Sequence, residues 1–223
     1  PKVTWPKTPD GKIDMYTRPL DLESLLKKVD NMVGKAFFDD SLLQLRKYKK
    51  MGEDAITQIS EKDFFVLLDK DANNIALIVK HMAGNMRSRW TDFLTSDGEK
   101  PNRNRDAEFE VFEDDSKKSL MRRWEDGWKL VFNAIEPLKE QDLLKTIHIR
   151  SEPHSVMQAI NRQLTHYAYH VGQIVFLAKH FAGPKWKSLS IPKGKSKSFE
   201  VSMRGEILKM AKARRKSQKK PNR

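Results

Sequence analysis

Apolar residues recur every three or four positions in four segments of the chain, residues 37–59, 71–95, 116–136 and 155–182. This spacing places them on one face of an α-helix, so the pattern predicts four long amphipathic helices. The sequence contains no strand–helix alternation and no glycine-rich phosphate loop. We therefore expect an all-α protein, an up-down four-helix bundle in which each helix buries its apolar face.

The fourth segment has the clearest boundaries. Ser155 and Gln158 form a capping-box pattern at its start, and Gly183 followed by Pro184 is a stop signal at its end. The residues predicted to face inward are Val156, Ile160, Gln163, Tyr167, His170, Ile174, Leu177 and Phe181.

Three histidines fall on inward faces of the predicted helices. His166 and His170 stand one turn apart on the fourth helix, and His81 lies on the second. A histidine on an apolar face is ordinarily a neutral, hydrogen-bonded core residue. A pair at this spacing can also reach one metal ion, which then needs a third ligand from elsewhere in the fold. The spacing alone leaves both interpretations open.

The segments outside the four helices are mostly polar. Residues 1–20 hold four prolines and predict an irregular arm, residues 21–30 predict a short amphipathic helix, and Gly34 separates that helix from the first long one. We expect an N-terminal arm over residues 1–35, the bundle over residues 36–195 and a tail over residues 196–223.

Two connections within the bundle also carry a prediction. Residues 97–115 lack clear periodicity, and a loop of this length is usually functional or mobile. Residues 145–150 alternate in polarity, which predicts a small extended piece with His148 exposed.

The basic character of the chain is concentrated in its tail. The formal net charge is +13, but residues 193–223 hold twelve Lys and Arg against two Glu, which leaves +3 for residues 1–192. Such a run predicts a solvated, partly disordered terminus that attracts polyanions without specificity. We therefore expect nucleic-acid binding, if any, only through the tail.

The composition excludes several kinds of chemistry. The chain has no cysteine, so it has no disulfide, no thiolate ligand and no cysteine nucleophile. This suits a reducing cytoplasm. Residues 1–30 contain no apolar signal-peptide core, and no run approaches the roughly 18 apolar residues of a membrane span. We expect a cytoplasmic protein that does not span a membrane.

With His81, His166 and His170 in place, the chain resembles the DinB-like superfamily of four-helix bundles. Three strings carry the resemblance, KHMAGNM at residues 80–86, RNRDAEF at 103–109 and THYAYHVGQ at 165–173. They look like one of its uncharacterised bacterial subfamilies. The resemblance implies a divalent metal, zinc or nickel, on the three histidines, and relatives that include bacillithiol- and mycothiol-dependent S-transferases. It also implies a homodimer.

The remaining candidate site residues are Asn85, Gln163, Arg103 and Arg105. Asn85 and Gln163 would orient ligands or substrate, and the alternative for both is ordinary hydrogen bonding within the bundle. Arg103 and Arg105, with Asp106 and Glu108, would line the mouth of the site and hold a carboxylate-bearing thiol. A solvated surface loop is an equal alternative for this segment. No residue is assigned a catalytic role.

Three functions follow from these observations. The first is a metal-dependent S-transferase, or a hydrolase, in which the metal activates a low-molecular-weight thiol or water toward a small electrophile. The second is a helical bundle that binds a metal or a partner without catalysis. The third is nucleic-acid binding through the basic tail.

Overall fold

The computed structural model describes residues 22–198 of the chain, without the side chains of residues 22–27 and 29–31. The described part is mostly helical and has one small antiparallel sheet. The predicted arm over residues 1–20 and nearly all of the predicted tail lie outside the described residues.

The described residues 22–198 form five α-helices and two strands. The helices are α1 Leu22–Ile56, α2 Glu61–Phe64, α3 Ile75–Trp90, α4 Lys117–Ile135 and α5 Val156–Ala182. The strands are β1 Thr146–Ile149 and β2 Glu152–Ser155, and three short 3₁₀ turns cover Asp106–Phe109, Glu140–Asp142 and Gly183–Lys185. Within residues 22–198, no helix is long and apolar enough to cross a membrane.

The four long helices bury their apolar faces against one another. Helix α3 packs on α4 and α1 packs on α5, while further contacts join α3 to α5 and α1 to α4. Trp124, Trp128 and Tyr167 are fully buried where these faces meet. Burying a large apolar side chain contributes about 1.5–3 kcal/mol to stability. The packing of these residues therefore stabilises the arrangement of α3 and α5, the helices that contain His81, His166 and His170.

Side-chain caps mark the starts of helices α3, α4 and α5. Asn74 Oδ1 accepts a hydrogen bond from Leu77 N at the start of α3, 2.9 Å away. Ser116 and Ser155 form capping boxes at the starts of α4 and α5. The predicted capping box of α5 is thus confirmed. Helix α3 is shorter than the predicted 71–95, because residues 91–96 form turns.

The prediction that Gly34 separates two helices is wrong. Helix α1 runs without a break from Leu22 to Ile56 and contains Gly34. A Cβ at this position would meet Glu140 Cβ at 2.8 Å and Leu143 Cδ1 at 3.2 Å. Glycine is needed here for the close approach of the Glu140–Asp142 turn, which is a packing requirement that helix periodicity does not reveal.

A hairpin leads directly into α5. Strand β1 confirms the predicted extended piece, and His148 is exposed as predicted, but the polar strand β2 was not predicted. The turn places Arg150 and Ser151 at φ values of 57° and 63°, a conformation that costs energy for residues other than glycine. Asp97 offsets this cost, because its carboxylate accepts both backbone N–H groups at 2.9 and 2.7 Å.

Candidate metal centre

The structure brings the three predicted histidines together. His81 comes from α3, and His166 and His170 come from α5. His166 Nε2 lies 3.3 Å from His81 Nε2 and 3.1 Å from His170 Nε2. Ligand atoms of the three residues all lie within 4.8 Å of one another. Two helices that pack side by side therefore converge three ring nitrogens on one point.

These separations fit a shared divalent cation. Zinc holds imidazole nitrogens at about 2.0–2.1 Å in a tetrahedron, which puts two such nitrogens about 3.3 Å apart. The observed 3.1 and 3.3 Å match that spacing. Three nitrogen ligands leave one tetrahedral position for water or substrate, as in catalytic rather than structural zinc sites.

The far nitrogens of two rings are held by acceptors. His81 Nδ1 donates to Glu108 Oε2 at 2.8 Å, and His170 Nδ1 donates to Gln173 Oε1 at 2.8 Å. A carboxylate and an amide oxygen only accept, so each ring carries its proton on Nδ1. Each Nε2 therefore presents a lone pair to the centre, which is the form that binds a metal.

His166 differs from the other two rings in its hydrogen bonding. Its Nδ1 is buried and has no hydrogen-bond partner in residues 22–198. Its Nε2 faces two lone pairs, and a single proton there can satisfy only one of them. A shared cation would satisfy the three Nε2 atoms at once, so the residues present fit a divalent metal. His166 Nδ1 would then carry the proton of that ring, still without a partner in the described chain.

Burial keeps two of the rings neutral. Burial, the largest cause, and the nearby His170, His81, Arg89 and Arg103 together lower the pKa of His166 to about 3. Burial also lowers the pKa of His170, against the hydrogen bond to Gln173 that raises it. Only neutral imidazole binds a metal, so both rings are ready to bind near pH 7 without losing a proton.

Glu108 links the histidines to the long loop. Its side chain is buried, and Arg103 donates to it through Nε and Nη2, both at 2.8 Å. Burial raises the pKa of Glu108, but the hydrogen bonds from His81 and Arg103 outweigh it and leave the pKa below its usual value. Phe109 stacks on the His81 ring with the ring centroids 4.9 Å apart.

The room for Glu108 comes from Gly84 on α3. A Cβ at this position would lie 2.2 Å from Glu108 Oε1 and 2.6 Å from Glu108 Cδ. The missing side chain lets the carboxylate reach His81 one turn away. Helix α4 also approaches α3 closely in this region, since a Cβ at Gly127 would lie 3.0 Å from Met86 Sδ and 3.5 Å from Ala83 Cα.

The other predicted site residues line a cavity of about 370 Å³ next to His81 and His166, where Asn85, Gln163, Arg103 and Arg105 all appear in the wall. Asn85 Oδ1 accepts from the Tyr167 hydroxyl at 3.3 Å, and Gln163 Oε1 is buried without a partner in the described chain. Neither amide forms a hydrogen bond with the three histidines there.

Sequence reasoning placed Glu108 on the loop but did not connect it to His81. Arg103 was expected at the mouth of the site, yet its side chain is only 5% exposed and supports Glu108. Gln173, which holds His170, was not singled out at all. Its position three residues after His170 was the available signal, because residues at i, i+3 are neighbours on a helix.

The chain belongs to the DinB/YfiT-like superfamily. Within it, the chain is a member of the family described as "Protein of unknown function (DUF1572)", whose model matches residues 32–195. That range includes the three histidines, Glu108 and Gln173. No significant match was found among curated proteins or among solved structures.

Gly84→Ala should weaken metal binding, because the added methyl group displaces Glu108 from His81. Loss of a partner behind a metal-binding histidine typically costs about 10- to 100-fold in metal affinity. Isothermal titration with zinc measures the change. Gly172→Ala on α5 is the matched control, since a Cβ there meets nothing within 4 Å. Equal zinc affinity in the two variants would contradict the role of Gly84.

Acidification should destabilise the chelator-treated protein through His166. The folded pKa of about 3 lies below the ordinary 6.5, so between these values the unfolded chain binds a proton that the folded site does not. The free energy of unfolding should then fall as pH drops through this window.

Urea denaturation between pH 7 and 5 tests this prediction. His166→Gln should flatten the dependence of stability on pH, whereas the exposed control His148→Gln should keep the wild-type dependence. The same slope in wild type and His166→Gln would contradict the prediction.

Proposed function

We propose that the protein is a metal-dependent enzyme of the thiol S-transferase type, and that its four long helices form a DinB-like up-down four-helix bundle. The observation that carries the proposal is the convergence of three ring nitrogens on one point. His166 Nε2 lies 3.1 Å from His170 Nε2 and 3.3 Å from His81 Nε2, and Gln173 and Glu108 direct the lone pairs of those two rings inward. Zinc or nickel is the proposed cofactor, because imidazole suits both metals.

A divalent metal bound there would supply a Lewis acid that stabilises a thiolate or hydroxide near neutral pH. This suits a chain without cysteine, whose sulfur nucleophile would have to come from a low-molecular-weight cosubstrate. A bacillithiol- or mycothiol-like thiol is the proposed cosubstrate. A hydrolase that uses water in the same position is the alternative enzyme.

The chain's own residues have three tasks in this proposal. Glu108 holds the proton of His81 on Nδ1 and places a negative charge behind that ligand. Arg103 keeps Glu108 ionised and in place through two hydrogen bonds. The cavity beside His81 and His166 holds the substrate next to the centre. The thiol and the electrophile react there, next to the three histidines.

Two other functions remain as alternatives. A bundle that binds a metal without catalysis would use the same three histidines and would turn over no substrate. Nucleic-acid binding is the third choice, and it would reside in the basic tail, most of which lies outside the described residues. A cytoplasmic location remains the proposed one, on the ground that a chain without cysteine suits a reducing compartment.

Metal analysis and a substrate screen test the proposed function together. Protein purified without an affinity tag should contain about one zinc or nickel per chain, because one cluster of three histidines provides one site. It should consume an electrophile such as chlorodinitrobenzene only when a thiol is present, and a chelator should abolish this activity.

His170→Gln should remove both the metal and the activity, whereas the exposed control His148→Gln should retain both. Thiol-dependent turnover that survives complete removal of the metal would overturn the proposed mechanism. One metal per chain without turnover of any thiol and electrophile would favour the non-catalytic alternative.

We also propose a homodimer, on the basis of the resemblance and of one exposed apolar stripe. Tyr169 and Phe176 stand seven residues apart on the same side of α5 and are 62% and 69% exposed. Light scattering at micromolar concentration should give twice the chain mass. A Phe176→Ser variant should shift the mass toward the monomer, and a monomeric wild-type protein would contradict the dimer.

A further inference from the structure

Five arginines line the cavity of about 370 Å³ beside His81 and His166, namely Arg89, Arg103, Arg105, Arg150 and Arg162. We propose that this cavity binds a small substrate through an oxyanion, a carboxylate or a phosphate group. This inference rests on the proposed function, because it takes the neighbouring three-histidine centre as the place of reaction. It adds the chemical class of the substrate.

Four separate parts of the chain contribute these arginines. Arg89 belongs to α3, Arg103 and Arg105 to the long loop, Arg150 to the hairpin turn and Arg162 to α5. Like charges repel one another when they are brought together, and more strongly where water is partly excluded. The fold nevertheless collects these cations around one cavity, and an anion is the ligand that would relieve the repulsion.

Two carboxylates hold the inner three arginines in place. Glu99 accepts from Arg150 Nε at 2.9 Å, from Arg89 Nη2 at 3.0 Å and from Arg103 Nη1 at 3.3 Å. Glu108 accepts the two further hydrogen bonds from Arg103. The Arg89 and Arg103 side chains are only 6% and 5% exposed. They are therefore ordered before any ligand arrives, which lowers the entropic cost of binding.

The charge in the wall is not fully compensated. Within residues 22–198, neither Arg105 nor Arg162 pairs with a carboxylate, and the contact recorded for the Arg162 guanidinium is His154 Nε2 at 3.4 Å. Five guanidinium groups thus face two paired carboxylates, an excess of three positive charges among these groups. Guanidinium groups match carboxylate and phosphate in geometry, so the excess favours those anions over halide ions.

The size of the cavity suits a small molecule. Ligand pockets typically enclose about 300–1,000 Å³, and this cavity lies near the lower end of that range. A peptide or nucleic acid would instead need an extended basic surface. A small carboxylic acid or a phosphate ester is the class that the volume and the charge together select.

Isothermal titration with two simple anions, inorganic phosphate and succinate, tests the inference on the full chain as purified. We expect saturable binding of one of them at one site per chain, and the anion that binds distinguishes the phosphate class from the carboxylate class. The double variant Arg105→Gln, Arg162→Gln should weaken this binding at least tenfold. Both side chains are exposed and unpaired with carboxylates in the described chain, so thermal melts should show a retained fold.

Arg122→Gln is the matched control, because Arg122 is an exposed arginine of α4 outside the cavity wall. It should bind the anion as tightly as the wild type. No saturable binding of either anion, or equal weakening in the control and the double variant, would overturn the inference. Zinc titration of the same samples separates the two proposals. Zinc binding without anion binding refutes the anion pocket alone, and anion binding without zinc binding refutes the metal centre alone.

Discussion

The hydrogen bond between His81 and Glu108 connects the two halves of the site. On one side it fixes which nitrogen of His81 faces the other histidines, and on the other it ties the long loop to α3. A carboxylate in this buried position is stable only because Arg103 pairs with it, since an unpaired buried charge is strongly destabilising. The ring orientation at the centre thus depends on an arginine that forms no hydrogen bond with the three histidines in the described chain.

The carboxylates of Glu99 and Glu108 together organise the surroundings of the centre. Glu99 accepts hydrogen bonds from Arg89, Arg103 and Arg150. Glu108, which also pairs with Arg103, accepts a hydrogen bond from His81. Asp97 holds the hairpin turn that carries Arg150, through a backbone conformation that costs energy without those hydrogen bonds. Hydrogen bonds therefore join the loop, the hairpin and α3 to one another around the cavity. A loop without regular periodicity is ordered here by charge pairing rather than by apolar burial.

Several features of the fold could be predicted from local pattern. The helical faces around Trp124, Trp128 and Tyr167 follow from their three- and four-residue spacing, and Ser155 marks the start of α5 by a capping pattern that needs no tertiary partner. Gly34 was interpreted wrongly for the opposite reason. Its role is a close contact with Glu140, more than a hundred residues away in the chain, and the local sequence carries no sign of that contact.

The residues that could meet at the centre were evident from the spacing of the histidines along the chain. Helix geometry puts His166 and His170 on one face, and the inward stripe of α3 adds His81, so the three candidates needed no coordinates. The surroundings of the three histidines, in contrast, depend on how the elements pack together. Glu108 reaches His81 because Gly84 leaves space on α3, and the arginines form one wall because α3, the loop, the hairpin and α5 meet there. Periodicity describes one element at a time, whereas ion pairs and close packing depend on distances between elements.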